Sequence, residues 1–462
     1  MSGTRRVFWV VMVSLMCTVS ASNDDAITKK MEALERRLAS LEEKVQQTSQ
    51  EQKEGESGDL TLEVEELRRQ VDILAGEVEK IRSGEPEYDI TRERANSLGL
   101  GPSAADVYRK PHGASLAGYG EMLYENFDNQ DQSGAEVDKP ARLDLLRAII
   151  YAGYRFNDRF LVNTEIEFEH ASTDKSGSAS VEFAYVEYLH SDQLSMRGGL
   201  LLLPMGLTNE FHEPNVFLGT TRPETERYII PTTWRENGFG ALASVGNFNF
   251  RVYAVNGLNA AGFSASGMRG GRQKGSQALA EDMALVGRVD YSPTPGVFFG
   301  GSFYQGGSGQ GQYTYEGDSL KVPTSIFEVH GQAQFRGWDL RGLYAASYIG
   351  DALELNLARG LPEGSAIAEQ MFGGYLQAGY NVLSRKHDTM SLSPYFRYEV
   401  VDTQHRMPFG FTANPTYDRT FYTLGLEFKP IYNIAIKGDY QWHRSDLRSG
   451  VNQFNVALGY SF

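Results

Sequence analysis

From Leu116 to Phe462 apolar and polar residues alternate with a period of two, in runs separated by connections that are alternately short and long. No other feature narrows the possible folds as far. A period of two marks a strand whose two faces meet different surroundings. Sixteen such runs fall near residues 116–127, 142–156, 158–170, 180–190, 194–203, 237–245, 247–256, 283–291, 297–305, 324–336, 338–349, 370–381, 390–402, 419–428, 432–443 and 451–462. Short turns carry Asn157-Asp158, Ser191-Asp192-Gln193, Gly246, Pro293-Thr294-Pro295-Gly296, Gly337 and Lys429-Pro430. Long polar loops, 128–141, 204–236, 257–282, 306–323, 351–369 and 403–418, come between them. A membrane-crossing antiparallel barrel has short turns at one face, longer loops at the other, and in bacteria an even number of strands.

The alternation also indicates which face meets lipid. In the last run Phe454, Val456, Leu458, Tyr460 and Phe462 share one face, and Asn455, Ala457, Gly459 and Ser461 the other. Run 432–443 sets Ile434, Ile436, Tyr440 and Trp442 against Asn433, Lys437, Asp439 and Gln441. Run 390–402 sets Leu392, Phe396, Tyr398 and Val400 against Ser393, Tyr395, Arg397 and Glu399. A soluble sandwich would turn the apolar set inward, whereas aromatic strand ends and the loop rhythm favour the apolar side outward. The mean hydropathy of −0.38 excludes a polytopic helical membrane protein but not a barrel, whose strands average out. The predicted fold is all-β: a 16-stranded antiparallel transmembrane barrel over residues 114–462, preceded by a helical segment.

That segment has its own pattern. Val7 to Val19 is apolar but too short to span a bilayer, follows Arg5 and Arg6, and precedes Val19-Ser20-Ala21. Residues 1–21 therefore read as a signal peptide. In residues 24–82 apolar side chains fall at Ile27, Met31, Leu34, Leu38, Leu41 and Val45, then at Leu60, Val64, Leu67, Val71, Leu74, Val78 and Ile81. The 3.5-residue average is a coiled-coil seam, expected to oligomerise in the periplasm, with a phase break near Gly55 and Gly58. Residues 83–113, punctuated by Gly84, Pro86, Gly99, Gly101, Pro102 and Pro111, read as a linker.

Function follows from barrel size. Side chains cannot fill sixteen strands, so an aqueous channel is expected, passing small hydrophilic solutes by diffusion. The longest loop, 204–236, is rich in prolines and aromatics and is expected to fold into the lumen as a constriction. Strand phase directs Arg147, Arg197, Arg251, Arg288, Arg341, Arg397 and Lys437 into the lumen, where Arg222, Arg227 and Arg235 of the loop join them. Such guanidinium groups bind phosphate or carboxylate bidentately. Opposite them lie Glu121, Glu165, Glu167, Glu328, Glu399, Glu427 and Asp439, which could instead neutralise them, so the sign of selectivity stays open. The net charge of −15 argues against nucleic acid as a partner. The eight scattered His residues, a single Cys and no glycine-rich phosphate loop give no enzyme, cofactor or metal signature.

The chain resembles the phosphate-selective porin O/P family. The likeness runs over about residues 113–462 and is clearest in Gly118-Tyr119-Gly120-Glu121, in Arg197-Gly198-Gly199 through Pro204-Met205-Gly206, and in Phe239 to Gly257. It implies a homotrimer in the outer membrane, a periplasmic amino-terminal segment and a constriction made by the third long loop. In the anion-selective founding members an arginine ladder and a few lysines line the pore; the matching loop here holds Arg222, Arg227 and Arg235 but few lysines. Phe462 fits the terminal signal read by the barrel assembly machinery. The competing expectation is a structural protein that tethers the outer membrane to the cell wall through its coiled coil.

Overall fold

A computed structural model describes residues 97–174, 176–384 and 389–462. The signal peptide over 1–21 and the coiled coil over 24–82 lie outside the described residues.

Sixteen antiparallel strands close into a single barrel. They are β1 (Gly113–Phe127), β2 (Arg142–Arg155), β3 (Phe160–Glu169), β4 (Ser178–Ser191), β5 (Leu194–Leu202), β6 (Arg235–Val245), β7 (Phe248–Asn256), β8 (Met283–Thr294), β9 (Val297–Gly307), β12 (Pro323–Phe335), β13 (Trp338–Ile349), β14 (Gln370–Tyr380), β15 (Ser391–Arg406), β16 (Asp418–Ile431), β17 (Ile434–Ser445) and β18 (Gln453–Ser461). A two-stranded ribbon, β10 (Thr314–Tyr315) with β11 (Asp318–Ser319), decorates the loop between β9 and β12. Each strand pairs with its neighbours in sequence, and β1 pairs with β18 from Tyr119↔Ser461 to Phe127↔Gln453. Closure leaves no free edge, which is what a sheet in lipid requires. Every expected strand is present. One two-residue hairpin joins Phe335 to Trp338 through Arg336 and Gly337, both at positive φ (48° and 86°). This is the primed turn whose twist matches the strands, and it suits glycine at its second position.

The two faces sort as the alternation requires. Phe454, Val456, Leu458 and Tyr460 of β18 are exposed while Asn455, Ala457 and Ser461 are buried. Leu285, Phe327, Phe396, Leu424 and Ile436 continue the exposed apolar surface on other strands. Paired aromatics gather beside the short turns: Tyr154 with Phe156, Phe160 with Tyr188, Phe248 with Tyr291, and Trp338 with Tyr380, ring centroids 4.7–5.1 Å apart. Tyr398 with Tyr422 and Tyr440 with Trp442 lie toward the long-loop end. An outward apolar band with an aromatic girdle is a surface made for a bilayer.

The interior departs from an empty tube. Every barrel strand carries inward side chains that are less than a tenth exposed, from Tyr119 on β1 through Tyr253, Tyr304, Tyr375 and Arg397 to Asn455 on β18. Two segments cover them. One is the connection from β5 to β6, residues 203–234, with a short helix at Glu224–Tyr228. The other is residues 97–112, with a 3-10 turn at Asp106–Arg109. The breakers Gly99, Gly101 and Pro102 do remove regular periodicity here, as expected of a linker. They do not prevent packing: Leu100, Ala104, Ala105 and Val107 are at most 3% exposed and belong to the main apolar cluster.

Candidate functional site

The seven strand cations expected in the lumen, Arg147, Arg197, Arg251, Arg288, Arg341, Arg397 and Lys437, point inward, and each has at least one acceptor or ion-pair partner. Arg197 Nε donates to Glu187 (2.9 Å), and its Nη2 to the Leu98 carbonyl (2.9 Å). Arg251 joins Glu210 (2.7 Å) to Asp290, and Arg288 donates to Asp290 (2.8 Å) and to the Gly206 carbonyl. Arg341 is held by Asp339 (2.8 Å) and the Val216 carbonyl (2.8 Å). Arg397 pairs with Glu399 (2.7 Å) and reaches the Thr221 carbonyl. Lys437 Nζ donates to the carbonyls of Phe217 (2.7 Å) and Gly219 (3.0 Å). Arg235, at the end of the loop, donates to Glu182 (3.0 Å) and Ser180 (2.9 Å). Each hydrogen-bonded charge fastens residues 97–112 or 203–234 to the wall, or neutralises a buried carboxylate. Arg197, Arg235, Arg251, Arg288, Arg341, Arg397 and Lys437 thus act as staples in a packed interior rather than as a row facing water.

Carboxylates complete the fastening. Glu226 in the loop helix accepts from Leu207 N (2.9 Å), Thr208 N (2.6 Å) and the Tyr375 hydroxyl (2.8 Å). Asp439 accepts from Thr220 N (2.9 Å) and the Tyr395 hydroxyl (2.7 Å). Glu213 takes the amides of Ser103 (2.9 Å) and Ala104 (3.2 Å), so the loop and the amino-terminal segment hold each other. Asn163 donates to the Ala104 carbonyl (2.8 Å), and the Tyr108 hydroxyl meets Tyr185 (3.1 Å) and Glu187.

At the long-loop end the lumen widens into a cavity of about 650 Å³. Its wall carries Lys139, Arg147, Arg222, Arg227, Arg269, Arg419 and Arg444 against Glu121, Glu125 and Glu224. Arg147 (3.4 Å from Glu121) and Arg227 (3.5 Å from Glu224) have partners. Even so, Arg147 Nε, Arg222 Nη2, Arg269 Nη1 and Arg419 Nε are buried with no hydrogen-bond acceptor. Tyr228 keeps the cluster compact, with the Arg419 guanidinium 3.9 Å and that of Arg227 5.3 Å from its ring centre. Burial, with Arg272, Arg227 and Arg222 nearby, holds the Arg269 guanidinium below its ordinary range. A positive concavity with buried, unsatisfied N–H groups can accept an anion without first breaking an internal ion pair. Three of the residues picked out by strand phase and loop position, Arg147, Arg222 and Arg227, line it. Arg269 and Arg419 escaped that reasoning because one sits in an irregular loop and the other near a strand end.

The molecule is thus a closed sixteen-stranded barrel with a lipid-type exterior, a braced lumen and a basic vestibule. The chain belongs to the same family as a protein of Aquifex aeolicus (strain VF5) described as uncharacterized: the two are 35% identical over 353 residues, which cover 74% of this chain and 78% of that protein. No protein-family model matches the chain. Solved structures similar to it include an anion-selective porin from Comamonas acidovorans, with 12% identity, a TM-score of 0.47, and coverage of 76% of this chain and 100% of that one. The outer membrane channel DcaP of Acinetobacter baumannii gives 11%, 0.48, 76% and 97%. A loop-deletion mutant of OmpT, an outer membrane protein of Vibrio cholerae, gives 13%, 0.48, 76% and 100%. At those scores the fold assignment rests on the strand pairing itself.

Proposed function

We propose that this protein is an outer-membrane porin, a homotrimer that lets small hydrophilic anions diffuse through a lumen narrowed by residues 203–234 and closed further by residues 97–112. The observation that carries the reading is the vestibule, where seven cations face three carboxylates and four buried guanidinium N–H groups lack acceptors. Phosphate and carboxylate solutes fit that donor chemistry. The resemblance to the phosphate-selective porin O/P family in Gly118–Glu121, Arg197–Gly206 and Phe239–Gly257 supports the same reading. In this view residues 1–21 direct export, residues 24–82 form a periplasmic coiled coil, and Phe462 presents the barrel to the assembly machinery. No enzymatic role is assigned.

The test is single-channel recording of the purified full-length protein in a planar bilayer, with the reversal potential measured under a KCl gradient. Current steps in threes with an anion-selective potential are expected, and R222Q/R269Q should move that potential toward zero. Cation selectivity, or a potential unmoved by the double variant, would refute the anion reading. A second reading, a structural protein that tethers outer membrane to cell wall, draws on the packed interior. It predicts a folded barrel with no conductance and cell-wall association lost on deleting residues 24–82.

A further inference from the structure

Behind the loop, on the wall made by β3 and β4, three side chains converge that the vestibule does not use. His212 Nε2 lies 3.1 Å from Glu165 Oε1 and 3.5 Å from Glu182 Oε2, and one ligand-type atom from each residue falls within 4.8 Å of the others. All three side chains are at most 2% exposed. We infer that Glu165, Glu182 and His212 form a structural site for a first-row divalent cation, with Zn²⁺ the best fit, that clips the lumen loop to the barrel wall.

Four observations support it. First, the spacing: ligands about 2.1 Å from a tetrahedral zinc lie about 3.4 Å apart. The two His212 separations bracket that value. Second, orphaned acceptors: Glu165 Oε2 and Glu182 Oε2 are both buried with no hydrogen-bond partner. A buried carboxylate oxygen with no donor is costly, and a bound cation would satisfy both of these. Third, the tautomer: His212 Nδ1 is 2.8 Å from the Asn209 carbonyl, so it carries the hydrogen and leaves the Nε2 lone pair aimed at the carboxylates. That backbone contact is the usual orienting partner of a metal-bound imidazole. Asn209 is itself fixed by bonds to Leu203 O (2.8 Å) and Trp234 N (2.7 Å), so the ring is placed by a rigid turn. Fourth, the backbone: Glu165 pairs with Phe183 but Ile166 pairs with Val181, so Glu182 is the extra residue of a bulge. Glu182 and Phe183 therefore both face inward, and it is the bulge that brings the second carboxylate to the site. Imidazole with two carboxylates suits Zn²⁺ and its first-row neighbours rather than the all-oxygen shells of Ca²⁺ and Mg²⁺. Arg235 holds the other Glu182 oxygen at 3.0 Å, orienting the carboxylate while leaving Oε2 free.

The rival state is an imidazolium bridging the two carboxylates with no metal. Refolding the full chain into detergent with Co²⁺ as the probe separates the two. Because the site is enclosed, metal should enter during folding. The expected result is one Co²⁺ per chain after desalting, with the strong visible d–d absorption of tetrahedral cobalt. Zn²⁺ present during refolding should remove that absorption, and H212Q and E165Q should each lose it while keeping heat-modifiable gel mobility. Because the Asn209 side chain fixes the turn whose carbonyl orients the His212 ring, N209A should weaken retention roughly tenfold to a hundredfold. Wild-type barrel that refolds fully yet retains no Co²⁺ or Zn²⁺ overturns the proposal without reference to any variant. Cobalt binding preserved in a folded H212Q or E165Q protein overturns it as well.

Discussion

If residues 97–112 close part of the lumen, loosening them should raise conductance by an amount set by their anchors. Glu213→Ala is the most local perturbation. It deletes the carboxylate that accepts from Ser103 N at 2.9 Å and Ala104 N at 3.2 Å, and leaves both amides without that partner. An orphaned buried donor costs about 1–3 kcal/mol. Ala104 is fully enclosed but Ser103 is half-buried, so water recovers part of the second bond, and the pair is worth about 2–4 kcal/mol. At 1.4 kcal/mol per decade the undocked population should rise roughly 30- to 1,000-fold. The remaining anchors, Asn163 to the Ala104 carbonyl and Arg197 to the Leu98 carbonyl, keep most molecules docked. Planar-bilayer recording should therefore show longer and more frequent open events with an unchanged closed level. Protease sensitivity between residues 97 and 112 reports undocking independently. Should the segment become cleavable while conductance stays at the wild-type level, the segment does not gate the lumen and the reasoning fails.

Glu213 also gives the docking a pH dependence. Burial pushes this loop carboxyl up from 4.5 to about 7, against the amides of Ala104 and Ser103 that pull it down. The docked state then binds more protons than the undocked one, so docking is strongest at acid pH and weakens as pH rises from about 4.5 to 7. Open probability should climb over that window and level off above it, and E213Q should flatten the profile. Replacing Arg251 with Met takes from Glu210 its cation at 2.7 Å and leaves Arg288 at 3.6 Å, at a cost of about 1–3 kcal/mol in guanidinium unfolding monitored in detergent. By contrast R227Q, whose side chain is half exposed and 3.5 Å from Glu224, should cost less than about 1 kcal/mol in the same assay. Deleting residues 24–82 is expected to weaken the trimer, read as a shift toward monomer in mild detergent.

How much of this was legible in the sequence differs between wall and contents. The sixteen strands are legible because a membrane barrel repeats one physical demand: each strand meets lipid on one side. Phe454, Val456, Leu458 and Tyr460 state that demand four times within a single run. The inward phase of Arg197, Arg251, Arg397 and Lys437 follows from the same alternation. Their partners do not, because the Leu98, Phe217 and Thr221 carbonyls and the Glu210 carboxylate arrive from segments with no period at all. Glu182 was missed for a sharper reason: a bulge breaks the alternation by one residue, so Glu182 and Phe183 turn inward together. The glycines and Pro102 before β1 pointed to irregular chain, which is what residues 97–112 are. Nothing in their pattern says that Leu100 and Val107 are buried, since burial of an aperiodic segment depends on the cavity that receives it.

The same charge type thus stands in two different settings, distinguished by how many carboxylates lie beside it. On the wall, Arg251 has Glu210 and Asp290, Arg288 shares Asp290, and Arg397 has Glu399. These groups are neutralised in pairs, so their field at the vestibule is small, and changing one creates an uncompensated buried carboxylate. In the vestibule, cations outnumber carboxylates, so on the proposed reading a change there is expected to alter what the lumen attracts without unbalancing a buried pair. On the proposed reading, the excess of acids in the chain as a whole does not set the sign of selectivity. Several lumen acids are matched to wall arginines, and the positive charge of the vestibule comes largely from the loop and strand-end residues Arg222, Arg269 and Arg419. Wall substitutions should appear in unfolding curves and vestibule substitutions in reversal potentials. A wall variant such as R397Q that shifted selectivity as far as R222Q, with stability intact, would break that division and return the arginine ladder to the permeation path.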